Sequence, residues 1–146
     1  QAMRFGFLQN EGDVFQIHED FLEDAFFWGS WRSVVSDDIN QDGVLDFLIT
    51  DVEERPLLLM SRHCSNNNWL KVVVPYGTRV DIYRNDQLYR KWARTGSSYH
   101  ATKESYVWFG LGTNTRISRM EVLFPNGEIQ VLENIAGRQS IHLTEP

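Results

Sequence analysis

Apolar residues recur along this chain in short, strand-length stretches, and no stretch of ten or more residues holds a helical period, so the pattern predicts an all-β fold. Residues 4–17 alternate as two short strands about the loop Asn10-Glu11-Gly12-Asp13. Residues 18–27 mix acids with large apolar side chains at no sustained period and are read as loop with one turn of helix. Strands are expected at 28–37, 45–52 and 57–60, the last after a turn at Glu54-Arg55-Pro56. Strand, loop, strand, turn, strand makes one blade-like unit. The polar seam 61–68 follows, and then strand candidates at 69–74, 78–84, 88–94, 106–109, 117–124, 128–133 and 140–143. Asn85-Asp86 and Pro125-Asn126-Gly127 look like hairpin turns, the second because Asn-Gly suits a type I′ geometry. Residues 1–61 and 62–146 are thus expected to be two units.

The loop between the first two long strands carries the sharpest chemistry. Counting Asp38 as position 1, side-chain oxygens fall at 1, 3, 5 and 9 as Asp38, Asn40, Asp42 and Asp46, with Gly43 at 6 and the Val44 carbonyl at 7. Ca²⁺ is a hard cation that takes about six to eight oxygens at roughly 2.3–2.6 Å, and a tight turn with alternating oxygen side chains wraps them around one point. Gly43 permits the bend. An EF-hand needs Glu at position 12 and flanking helices, whereas position 12 here is Ile49 in a strand-like run. An ion at this loop would sit between strands.

Charge divides the chain the same way. Residues 1–54 carry 13 Asp/Glu against Arg4 and Arg32, and residues 55–146 carry 12 Lys/Arg against 7 acids. The later cluster Arg79, Arg84, Arg90, Lys91 and Arg94 either favours an acidic partner or balances acids internally. The net charge of −6 argues against nucleic acid, and no apolar run approaches the length of a membrane span. Cys64 is the single cysteine, so no internal disulfide forms. Gln1-Ala2-Met3 looks like a junction, and the expectation is that an upstream signal peptide or domain has been cut away.

No catalytic constellation emerges from His18, His63, His100, His142 and Cys64. His63 and Cys64 are adjacent, which on an extended strand sends them to opposite faces. Gly110 and Gly112 are read as tight turns between strands, since no helix follows them to make a phosphate cradle. Among the five tryptophans, Trp69 and Trp108 are expected in the core. Trp92, between Lys91 and Arg94, is the aromatic most suited to face a ligand. Arg90, Trp92, Arg94, Tyr99 and His100 are therefore the candidate ligand-binding residues.

The loop matches D-x-[DN]-x-D-G-x-x-D, and residues 26–61 resemble the FG-GAP or VCBS repeat. That resemblance implies Ca²⁺ as the bound ion and a propeller blade as the fold, although one repeat cannot close a propeller of about four or more blades. Downstream, Asn68-Trp69-Leu70, Gly77-Thr78-Arg79-Val80, Gly96 with Tyr99, Phe109-Gly110-Leu111-Gly112, Phe124-Pro125-Asn126-Gly127 and Leu132-Glu133-Asn134-Ile135 resemble, in that order, the ASPIC/UnbV domain. Only Pro75-Tyr76 stand where that domain usually has a longer polar loop.

The expected fold is one FG-GAP-like blade unit with a calcium loop, packed on an antiparallel β-sandwich or barrel-like domain. The expected function is a non-catalytic, calcium-binding, secreted or periplasmic module for binding or adhesion. Its partner would be an extracellular protein or an anionic glycan. Two alternatives follow from the same resemblance: an auxiliary protein of enediyne-type biosynthesis with a small-molecule pocket near Tyr99 and His100, and a structural cap on an upstream propeller. The cap would self-associate through exposed strand edges near 4–17.

Overall fold

The computed structural model describes residues 3–4, 7–18, 28–62 and 66–146. Residues 19–27 of the expected loop, and the His63-Cys64 pair, lie outside the described residues. Strand β1 (Met3–Arg4) pairs with β4 (Trp28–Gly29), and β2 (Phe7–Asn10) with β3 (Phe15–His18). Gly12, at φ 95°, turns the second pair into a hairpin and donates its N–H to Asn10 Oδ1. Strands β5 (Trp31–Asp37), β6 (Asp46–Asp51) and β7 (Leu57–Leu59) form a three-stranded antiparallel meander, with the acidic loop joining the first two. Ile49 and Asp46 on its middle strand are buried, and the Ser33 and Thr50 hydroxyls meet at 2.7 Å across the β5–β6 pair.

From residue 68 the chain builds a sandwich of two four-stranded sheets. One runs β10 (Gln87–Trp92), β9 (Arg79–Arg84), β13 (Arg116–Leu123), β14 (Ile129–Ala136). The other runs β11 (Arg94–Ser98), β12 (Ala101–Gly112), β8 (Asn68–Val73), β15 (Gln139–His142). Alternation makes most of the core: Leu70 and Val72 of β8, Val107, Phe109 and Leu111 of β12, Val80 and Ile82 of β9, and Met120 and Val122 of β13 point between the sheets, joined by Ile117 across a break in the parity of β13. Each such side chain contributes roughly 1.5–3 kcal/mol of burial. Trp69, Lys71 and Val73, at the intervening positions of β8, face outward and are only half-buried.

The sequence reading needs correction at several points. Trp69 and Trp108 are not in this core; they stack on each other, centroids 4.7 Å apart, on the outer face of the sheet. The sheets are not wholly antiparallel, because β15 runs parallel to β8. The chain crosses from one sheet to the other at Gly137-Arg138, where the Arg138 N–H donates to the Trp69 carbonyl, and so enters β15 in the direction of β8. No closed barrel forms. The last pairing of β11 toward the far end of β12 is Arg94 with Tyr106, and beyond it the Trp108 and Gly110 carbonyls accept Lys91 Nζ (2.6 Å) and Arg84 Nη1 (3.1 Å) in place of a neighbouring strand. Gly110 lies within β12 opposite Trp69 and is no turn, whereas Gly112, at φ 58°, enters the turn between β12 and β13 in which the Asn114 N–H donates to Leu111 O.

Both expected hairpin turns form, but the type I′ geometry is at the first rather than the second. Asn85 and Asp86 both have positive φ, 49° and 60°, which is the type I′ turn. At 124–128 only Gly127 is left-handed; its N–H donates to Phe124 O, and the Phe124 N–H donates to Glu128 O, giving a three-residue loop that ends in a glycine bulge.

Candidate functional site

The acidic loop holds itself together through its own carboxylates. Asp38 accepts the Asp42 N–H on Oδ1 (3.0 Å) and the Gly43 N–H on Oδ2 (2.9 Å). Asn40 Oδ1 accepts the same Asp42 N–H at 3.1 Å, so the oxygens of positions 1 and 3 converge on one point. Asp42 Oδ1 accepts the Val44 N–H, and its Oδ2 accepts Asn40 Nδ2. Asp46 is fully buried beneath the turn, where it accepts the Ile39 N–H at 3.0 Å and the Ser61 N–H at 2.8 Å, binding the loop to the segment after β7.

Among the described residues, no three His, Cys, Asp or Glu side chains stand together as a ready metal cage. The donor set is nonetheless all oxygen: Asp38, Asp42 and Asp46 carboxylates, the Asn40 amide and the Val44 carbonyl. That chemistry suits a hard divalent cation. Among the described residues no Lys or Arg pairs with Asp38, Asp42 or Asp46, whereas Asp37 just before them takes Lys71. Ca²⁺ bound at these five residues would supply charge neutralisation and nothing redox-active.

The loop is also the seam between the two units. A Cβ on Gly43 would collide with the Trp69 indole, 2.6 Å from Cδ1 and closer to Nε1, so the loop backbone lies directly against that ring. The Tyr106 hydroxyl donates to the Ser36 carbonyl at 2.8 Å, and Lys71 Nζ bridges Asp37 (3.2 Å) and Glu104 (3.0 Å). Lys71 and Lys103 both approach the Tyr106 ring, at 4.3 and 4.2 Å from its centroid. Burial opposes the Lys71 charge, but the hydrogen bonds it donates to Glu104 and Asp37 outweigh burial and raise its pKa above the ordinary lysine value. Burial pushes the Tyr106 phenol up, with help from Asp37 and Glu104.

The five ligand-binding candidates separate. Arg90 is bound to Asp81 through two hydrogen bonds of 2.8 Å, and Arg79 approaches the same buried carboxylate at 3.3 Å. Tyr99 and His100 form the tip of the β11–β12 hairpin, rings 4.1 Å apart, with His100 at φ 52°. That tip adjoins the first unit, since Ser98 Oγ accepts the Val34 N–H. Arg94 opens β11 at its other end, roughly 13 Å away at strand rise, and Trp92 closes β10 just before it. There they line an open depression of about 330 Å³ with Tyr76, Gly77 and Ala93. A second, larger depression of about 700 Å³ includes Asn66, Asn68, Thr115 and Arg138, and Arg138 Nη2 crosses it to the Asn66 carbonyl.

The sequence profile of ASPIC and UnbV matches residues 74–146, half of the chain. The chain belongs to the ASPIC and UnbV family. No curated protein matches it. The matched stretch begins at the end of β8, so the ASPIC and UnbV sandwich includes one strand ahead of the match, and the match does not extend to the acidic loop.

Sequence reasoning missed Tyr76 of the ASPIC and UnbV region. Its signal was Pro75-Tyr76-Gly77-Thr78: the Thr78 N–H donates to Pro75 O, and Gly77 has φ 85°, the pattern of a type II turn that sets the second residue outward. Tyr76 is accordingly 67% exposed.

Proposed function

We propose that this chain is a calcium-binding, non-catalytic binding module of the extracellular or periplasmic space, in which the FG-GAP-like unit docks its loop on the ASPIC and UnbV sandwich. The observation that carries this reading is the contact of Gly43 with Trp69. The turn bearing the oxygen donors lies directly on the sandwich, so an ion that tightens the turn also tightens the junction. Ion binding free energy then becomes folding free energy for both units.

At a free calcium level of about 100 times Kd the ion would stabilise the chain by roughly 2.7 kcal/mol, about 5–10 °C in melting temperature for a chain of this size. Chelator-stripped protein should melt lower by that amount. Asp42→Ala, at an exposed position of the turn, should lower the melting temperature in calcium and abolish the difference between calcium and chelator. An unchanged difference in that variant rules this loop out as the site.

A second reading, a cap that associates through its N-terminal strands, is favoured by the β2–β3 hairpin. Leu8, Phe15 and Ile17 on that hairpin, and Val14 before β3, are each more than half exposed. Sedimentation velocity decides it: a monomer at high concentration sinks the self-association reading, and a dimer lost in Phe15→Glu sustains it.

A further inference from the structure

The five basic residues Arg79, Arg84, Arg90, Lys91 and Arg94 do not form one patch. Arg79 and Arg90 converge on Asp81, Arg84 donates to Tyr89 and to the Gly110 carbonyl, and Lys91 donates to the Trp108 carbonyl. Arg94 is exposed and, among the described residues, makes no hydrogen bond or ion pair. It stands beside Trp92, 50% exposed, and Tyr76, 67% exposed. One unpaired guanidinium and two solvent-facing rings thus line the same open depression.

The floor of this depression is rigid and chemically closed. Gly77 and Ala93 leave it shallow because neither carries a side chain beyond Cβ. The Gly77 N–H donates to Ala93 O (3.0 Å), and the Ala93 N–H donates to Thr78 O (2.8 Å). These two bonds clamp the Tyr76 turn to the β10–β11 corner, so the backbone that carries the three side chains is set before any ligand arrives. They also take the amide donors of both floor residues. An extended peptide, which is bound largely through main-chain hydrogen bonds, therefore finds no donor on the floor itself.

What the groove offers instead is apolar ring faces and one positive charge. A pyranose ring has a flat face of C–H groups suited to an aromatic surface, with hydroxyls at its rim that stay in water. A carboxylate on that ring matches the planar fork of an arginine. We propose that the Tyr76–Trp92–Arg94 groove binds an acidic saccharide, a hexuronate-bearing oligosaccharide that stacks on the two rings and pairs its carboxylate with Arg94. This gives a ligand class to the binding-module reading and rests on it, but it does not depend on calcium.

The test is an amide chemical-shift titration of the ¹⁵N-labelled chain with tetragalacturonate, with its methyl ester, and with tetra-aspartate. Tetragalacturonate should shift the amides of residues 76–78 and 92–94. Trp92→Ala and Tyr76→Ala should each weaken it about tenfold or more. Arg94→Gln should weaken tetragalacturonate by a similar factor and leave the methyl ester unchanged. No shifts at the groove, or equal affinity in Trp92→Ala, overturns the proposal. So does tetra-aspartate binding as tightly as tetragalacturonate, which would reduce the groove to a point charge.

Melting each variant with calcium and with chelator separates the two readings. Trp92 and Tyr76 are surface residues away from the acidic loop, so both melting temperatures should stay within about 2 °C of the parent. Saccharide failure with the calcium shift intact sinks the groove alone. Saccharide binding without a calcium shift sinks the ion alone.

Discussion

Gly43 and Trp69 occupy the same space by turns: the indole fills the position that any side chain at residue 43 would need. Gly43 is therefore required twice, once for its φ of 89° and once for the ring. Gly43→Ala should cost about 2–4 kcal/mol, measured by urea denaturation. Trp69→Ala removes the steric half of that cost. The two substitutions together should be less damaging than their sum by about 1–2 kcal/mol. Strict additivity would mean that the loop does not bear on the ring.

Asp46 tests the anchoring of the same loop from below. Its carboxylate is buried and serves the Ile39 and Ser61 N–H groups. Asp46→Ala strands both donors and should cost about 2–4 kcal/mol even in chelator. Asp46→Asn, which keeps one acceptor oxygen, should cost less. Equal losses would show that charge, not hydrogen bonding, matters there.

Tyr106 makes the junction sensitive to alkali. Its folded-state pKa is raised above the ordinary 10.0, so the folded chain holds the phenolic proton longer than the unfolded one does. The stability this represents is complete below about pH 10 and is lost as pH rises further. Lys71, also raised, acts with the same sign; Lys103, lowered by burial, acts with the opposite sign. Tyr106→Phe should cost about 1 kcal/mol at pH 8 through the lost bond to Ser36 O. Urea melts at pH 11 should show that gap closed or reversed. A gap that is constant with pH contradicts the account.

Local rules exposed much of the fold. The alternation of Leu70 and Val72 with Trp69 and Lys71 marks a strand, and its parity already sends Trp69 away from the core; weighing Trp by size rather than parity is what misplaced it. The 38–46 turn was legible because its geometry is written in neighbouring residues. Strand β11 was not: Arg94-Thr95-Gly96-Ser97-Ser98 has no apolar alternation, and it is a strand through its irregular pairing with β12. The early part of β12 was missed for the same reason. Parallel pairing of β15 with β8 joins residues about 70 positions apart and leaves no local mark. The separation of Trp92 and Arg94 from Tyr99 and His100 follows from that unrecognised β11, whose length lies between them.

A calcium ion in the 38–46 turn should tighten the seam at Trp69. Calorimetric titration of calcium into chelator-stripped protein, with Trp fluorescence followed in parallel, tests it most directly. One site per chain, with a fluorescence change absent in Trp69→Phe, is the predicted result. No heat of binding and no change in melting temperature would contradict it and leave the turn a hydrogen-bonded connection between β5 and β6.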